Sequence, residues 1–138
     1  EYDLTQERPR IILSGEDVTI VSAGYSTRLA NKAAELLNAE SISAELIDLR
    51  VINPIYPDLI IESVKKTGRL VVIDGGWSNC GLAGEVIAQV VENSPVDIFA
   101  KAPVRITLPD CPAPTSRRLE KLYYPSVESL LTRIKSLF

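Results

Sequence analysis

Four glycines crowd the stretch Leu70-Val-Val-Ile-Asp-Gly-Gly-Trp-Ser-Asn-Cys-Gly-Leu-Ala-Gly-Glu85. Glycines that follow a buried strand and open a helix are where a backbone can close on a phosphate. Gly75, Gly76, Gly81 and Gly84 do not make the G-x-G-x-x-G fingerprint, however, because Ser78 stands two places after Gly76 and Ala83 two after Gly81. The spacing therefore predicts a tight turn and close helix-to-strand packing, with nucleotide binding the weaker reading. Trp77, the single tryptophan, lies in the same stretch. An amphipathic aromatic in an exposed turn anchors a partner more readily than it fills a core. Cys80 sits near a helix start but has no base beside it in sequence, so it is expected to be inert. Asp48 and Arg50 end another strand, where an Asp more often ties down a turn than does chemistry. Arg117, Arg118 and Lys121 read as a solvated basic face.

What is missing narrows the chemistry further. The chain has no histidine, which excludes Ser-His-Asp, Cys-His and His-metal arrangements within it. No paired carboxylates argue for general acid and base work. Fifteen basic residues against eighteen acidic ones give a net charge of -3, which offers nucleic acid or an anionic membrane no broad positive field. No apolar run approaches the roughly 20 residues of a membrane span, and the polar, proline-containing start is not signal-like. Cys80 and Cys111 show no paired spacing, which suits a reducing compartment better than a disulfide framework. The 138 residues include no methionine, so the segment is expected to be an excised domain or processed product. Its length suits one domain with a proper core.

The elements that must position these residues are legible as alternating patterns. Val18–Ser22 is a β-branched strand, and Ala23-Gly24-Tyr25-Ser26-Thr27 turns into a helix whose Leu29, Ala33, Leu36 and Leu37 face inward. Ala44–Leu49 is the next strand, making a βαβ unit whose strands should be parallel. Pro57 opens a short helix through Val64, with Lys65, Lys66 and Gly68 as stop signals. Strand 69–74 precedes the glycine stretch. Leu82, Val86, Ile87, Val90 and Val91 then form the inward stripe of a helix that Pro95 ends, while Glu85, Gln89 and Glu92 face outward. Val104–Leu108 is a further strand, and Pro109, Pro112 and Pro114 impose an irregular loop through Ser116. Ser126 caps a last helix carrying Val127, Leu130, Leu131, Ile134 and Leu137 inward. Ile11–Leu13 is a candidate antiparallel edge strand. The fold class is α/β, a three-layer sandwich with a mostly parallel sheet.

Asp74-Gly-Gly-Trp-Ser-Asn-Cys-Gly-Leu-Ala-Gly-Glu85 resembles the E/D-G-G-W/F-x-x-x-G-x-x-A/G-E run of the beta subunit of 2-oxo acid dehydrogenase decarboxylating components, pyruvate dehydrogenase included. Landmarks in the same order agree: 17–22, 44–50 with Pro54, 62–68, 102–105, Asp110 with Pro112, and Leu119-Glu120 before Tyr124-Pro-Ser-Val127. The resemblance covers nearly the whole chain from about Gly15 and is to the transketolase-type C-terminal domain. It implies an arm or linker over residues 1–14, joining a missing upstream domain, and an α/β domain over 15–138. It also implies that the chain is part of a thiamine-diphosphate and magnesium enzyme that decarboxylates a 2-oxo acid and passes the acyl unit to a lipoyl group, the chemistry belonging to the cofactor. In that family the thiamine site lies between the alpha subunit and the N-terminal half of the beta subunit. This segment would then bind no cofactor and would serve subunit contacts: the missing N-terminal half, the alpha subunit, homodimer partners and an acyltransferase core. A cytoplasmic or mitochondrial-matrix location follows. The alternatives are a transketolase-like C-terminal domain and a stand-alone α/β binding module.

Two departures from the family pattern stand out. Lys101 precedes Ala102-Pro-Val where acyltransferase-docking members often carry an acidic residue, and a charge reversal there selects against the old partner. Tyr56 replaces an Asp two residues beyond the strand-end proline, with Pro57-Asp58 following, so the helix cap must be rebuilt. Phe138 matches family members that end on an apolar residue near the docking surface. Trp77, Lys101 and Phe138 are therefore the candidate partner-binding residues.

Overall fold

The computed structural model describes residues 3–138, apart from the side chain of Val96. Its strands are β1 (Arg10–Leu13), β2 (Val18–Ser22), β3 (Ala44–Asp48), β4 (Leu70–Trp77) and β5 (Val104–Leu108). Its helices are α1 (Tyr25–Ala39), α2 (Asp58–Thr67), α3 (Leu82–Glu92), α4 (Arg117–Tyr123) and α5 (Val127–Lys135). The strands form one sheet in the order β1-β3-β2-β4-β5. Every neighbouring pair is parallel except the edge strand β1, which runs antiparallel to β3.

Alternation along the strands builds two cores. Val18, Ile20, Leu46, Val71 and Ile73 project to one face, where α1 and α5 cover them. Val21, Ile47, Leu70 and Val72 project to the other, under α2 and α3. Both faces of the central strands are buried, as a parallel sheet requires. β2 is inaccessible along all five residues. α1 is rich in alanine, a strong helix former, and buries Ala30, Ala33, Ala34 and Leu37. α2 ends on Gly68 at φ 66°, whose amide donates to the Val64 carbonyl at 2.7 Å. That left-handed cap favours glycine. Ser126 and Ser129 cap α5 reciprocally.

The structure corrects four details of the sequence reading. Leu36 and Val91, assigned to inward stripes, are 48% and 40% exposed; both flank their buried stripe, where partial exposure of an apolar residue is ordinary. β4 continues through Gly75 and Gly76 to Trp77 instead of ending at Asp74, so the turn begins three residues later. α2 runs on past Val64 to Thr67, with Pro57 as its N-cap. A helix absent from the reading, α4, fills 117–123 directly after the proline loop.

One ion pair ties the amino end of the sheet to α2. Glu45 of β3 is 2% exposed and accepts hydrogen bonds from Lys66 Nζ at 2.7 Å and the Gly15 amide at 3.4 Å. Burial pushes its carboxyl up, but hydrogen bonds from Lys66, Ser63 and Gly15 overcome that and hold it below the ordinary value; the same contact raises Lys66. Glu45 thus contributes stability that is present above roughly pH 4 and is lost as pH falls through its lower folded value. Lys66 contributes stability that is present below roughly pH 10 and is lost as pH rises through its higher folded value. In Lys66→Met Glu45 keeps the hydrogen bonds from Ser63 and Gly15 but loses its counter-charge, so its carboxyl moves up and the acid-side dependence shrinks. The expected cost at neutral pH is about 1–2 kcal/mol, since Lys66 is partly screened by solvent. Urea unfolding at several pH values checks both the size and the sign.

Candidate functional site

The glycine stretch forms the carboxyl end of β4 and the entry to α3. Asp74, 7% exposed, spends both carboxylate oxygens on the chain itself: Oδ1 accepts from the Gly76 amide at 2.8 Å and Oδ2 from the Ala83 amide at 3.0 Å. An intramolecular anion therefore already occupies the N-terminus of α3, where a phosphate would otherwise bind. A Cβ at Gly81 would collide with the Trp77 carbonyl and approach Asp74 Oδ2. This glycine is required by close backbone packing. Cys80 is exposed, at φ 54°.

A second segment clasps this turn. Trp77 pairs with Leu108 across the ladder, and its Nε1 donates to the Tyr123 hydroxyl at 3.2 Å. Tyr123 in turn donates to the Cys111 carbonyl at 2.9 Å. Asn79 Nδ2 donates to Asp110 Oδ2 at 2.9 Å, and Arg105 Nη1 to the Ser78 carbonyl at 2.7 Å. The indole is therefore oriented, yet 47% exposed. Leu119, Leu122 and Tyr124 are also exposed on the 117–124 segment. Together they form an apolar, aromatic rim at the carboxyl end of the sheet. Oriented aromatics with exposed apolar area suit a protein contact. Among the described residues no group of three His, Cys, Asp or Glu is placed to hold a metal ion.

A family model described as transketolase, C-terminal domain, matches residues 8–130. The chain belongs to the transketolase C-terminal domain family. It is 43% identical over 129 residues to the pyruvate dehydrogenase E1 component subunit beta of Rickettsia bellii, covering 93% of this chain and 39% of that protein. It is 39% identical over 132 residues to the acetoin:2,6-dichlorophenolindophenol oxidoreductase subunit beta of Cupriavidus necator, covering 94% of this chain and 38% of that protein. A solved split-gene transketolase, described as an inactive beta4 tetramer, superposes with a TM-score of 0.79 at 28% identity, covering 94% of this chain and 42% of that one. The chain thus spans about two fifths of the length of the curated relatives it matches.

Within this transketolase C-terminal domain the three candidate partner residues fall on two surfaces. Trp77 is at the carboxyl end of the sheet. Lys101 and Phe138 are exposed near its amino end: Ala100 donates to the Gly68 carbonyl at 2.8 Å, and the Arg69 guanidinium lies over the Phe138 ring at 4.4 Å. Gly68 and Arg69 are consecutive, so the two segments that carry Lys101 and Phe138 are both anchored at the amino end of β4. Asp48 takes the structural role the sequence suggested. Its Oδ1 accepts from the Arg50 amide at 3.2 Å, and its Oδ2 lies 3.8 Å from Arg50 Nη1. Arg50 also reaches Glu7, itself paired with Arg10. Arg117, Arg118 and Lys121 are exposed on α4. Sequence reading missed Tyr123, whose hydroxyl orients the indole; no spacing signal links positions 46 apart, although a buried tyrosine needing a partner is a general cue.

Proposed function

We propose that the chain is the C-terminal assembly domain of the beta subunit of a thiamine-diphosphate-dependent 2-oxo acid dehydrogenase of the pyruvate dehydrogenase type. The observation that carries the reading is the 43% identity over 129 residues to a pyruvate dehydrogenase E1 beta subunit. Its reaction is oxidative decarboxylation of a 2-oxo acid with acyl transfer to a lipoyl group. The domain itself is non-catalytic. The N-terminus of α3, into which the glycine stretch runs, is filled by Asp74, so the residues present do not fit a diphosphate there. Thiamine diphosphate and magnesium belong to the upstream half and the alpha subunit.

On this reading residues 1–14 join residues 15–138 to that upstream half. The Trp77 rim contacts the alpha subunit or a second beta subunit, and Lys101 and Phe138 meet the acyltransferase core. Lys101 in place of an acidic residue selects a partner with acidic groups at the matching position. The location is the cytoplasm, or the mitochondrial matrix in a eukaryote. Among the described residues no helix is long and apolar enough to cross a membrane. A second reading, a transketolase-type enzyme, is favoured by the TM-score of 0.79 to the split-gene transketolase.

The test is a reconstitution of the longer native polypeptide with its alpha partner. Release of carbon dioxide from a 2-oxo acid, dependent on thiamine diphosphate, supports the first reading; ketol transfer between sugar phosphates supports the second; neither activity overturns both. Trp77→Ala in this assembly is expected to weaken subunit association about 30-fold, the effect of losing a central aromatic anchor worth about 2 kcal/mol. Sedimentation velocity across a dilution series reads this directly. Phe138→Ala, at a different surface, should leave that association constant unchanged.

A further inference from the structure

β5 is the last strand of the sheet, and only β4 pairs with it. Among the described residues its backbone makes no hydrogen bond outside that ladder. Its outward amides and carbonyls are therefore an open template for a further strand. Proteins commonly guard such an edge with a proline or an outward charge. Val104–Leu108 contains no proline, and its one charged side chain, Arg105, is spent on the turn, where Nη1 donates to the Ser78 carbonyl at 2.7 Å.

A groove borders this edge on each face of the sheet. On the α5 face a groove of about 560 Å³ follows the chain from Arg105 to Pro109 under Lys121, Ser129 and Arg133. Its charged lining is Arg105, Lys121 and Arg133, with no carboxylate. Lys121 and Arg133 are exposed, and among the described residues their side chains make no ion pair or hydrogen bond. On the α3 face a groove of about 570 Å³ is lined by Ile87, Ala88, Val91 and Pro103, with Glu92 as its one acid. A strand added to β5 would send alternate side chains into the two grooves. The α5 groove suits acids, whereas the α3 groove suits apolar groups and its Glu92 repels acids. Two copies of β5 pairing edge to edge would set these cations against their own kind.

We infer that β5 docks an extended segment of the subunit that covers the Trp77 rim, with side chains alternating between acidic and apolar. This contact rests on the assembly reading: Leu122 and Tyr124 belong both to the rim and to the α5 groove, which makes them one continuous surface. Backbone hydrogen bonds to β5 supply affinity, and the two grooves supply specificity.

The test measures association in the assembly of the longer native polypeptide with its alpha partner, by sedimentation velocity. The double variant Lys121→Gln/Arg133→Gln should weaken association about tenfold and flatten its salt dependence, because two exposed ion pairs are lost. The thermal midpoint of the free polypeptide should not move, since neither side chain has an internal polar partner. The end-capped peptide Glu-Val-Glu-Val-Glu should weaken association about tenfold at about 10 mM, as a competitor with a Kd of about 1 mM does. The same peptide with every amide N-methylated cannot donate to the edge and should leave association unchanged. Unchanged association in the double variant, an inert peptide, or equal inhibition by the N-methylated peptide overturns the added strand. Tighter association in the double variant overturns it too, by showing two β5 edges paired with each other. In each of these cases Trp77→Ala separates the two ideas: weaker association leaves the assembly reading standing, and unchanged association removes it as well.

Discussion

Replacing Gly81 with alanine is expected to lower the thermal midpoint by roughly 10–15 °C, about 3 kcal/mol at the 3–5 °C per kcal/mol of a domain this size. The added Cβ would meet the Trp77 carbonyl and stand 2.9 Å from Asp74 Oδ2. Neither neighbour can yield cheaply. Trp77 is held in the ladder opposite Leu108, and Asp74 is fixed by two amides. Relief requires moving the start of α3 or the end of β4, and either movement disturbs the indole. Gly84→Ala is the internal control. Its Cβ would meet Arg105 Nη1 at 3.8 Å, an ordinary contact, and alanine gains about 0.5–1 kcal/mol over glycine in a helix. Calorimetric scans should therefore move the two variants in opposite directions. An unshifted Gly81→Ala would show that the turn is looser than its packing implies.

Asp74→Ala should cost about 3 kcal/mol, seen as a lower urea midpoint with an unchanged slope. The carboxylate makes two charge-assisted bonds and is nearly buried, so its removal leaves the Ala83 amide without its acceptor and the N-terminus of α3 without its charge. Asp74→Asn keeps one acceptor but turns an NH2 group toward the other amide, and should cost about 2 kcal/mol. The vacated N-terminus in Asp74→Ala should then take up inorganic phosphate, which recovers part of the stability. Wild type should show no such phosphate effect at this helix, because Asp74 already fills it. Equal phosphate stabilisation of wild type and variant would contradict the view that this turn is closed to ligands.

The order of strands and helices was legible in the sequence because each element keeps one period throughout. β2 is apolar on both faces, α1 repeats its alanines and leucines at helical spacing, and Gly68 stops α2 where the chain needs a left-handed residue. The parallel sheet and the edge strand β1 followed from these. The glycine stretch was legible as a joint, since its spacing fits no phosphate fingerprint. That Asp74 supplies the anion depends on a bond across nine residues and a turn, which no local pattern encodes. The helix α4 was hidden by the prolines before it and by its brevity. It matters because Tyr123 on that helix sets the Trp77 indole. Leu36 and Val91 were misassigned because helical spacing fixes which way a residue leans and not where the cover over it ends.

The central claim is that this domain assembles a thiamine enzyme without touching its cofactor. The most direct test is a calorimetric titration of magnesium thiamine diphosphate into two samples: the longer native polypeptide with its alpha partner, and residues 1–138 alone. Saturable binding in the first and none in the second is the predicted result. Saturable binding by residues 1–138 alone would contradict it, because Asp74 already fills the N-terminus of α3 that the glycine turn enters.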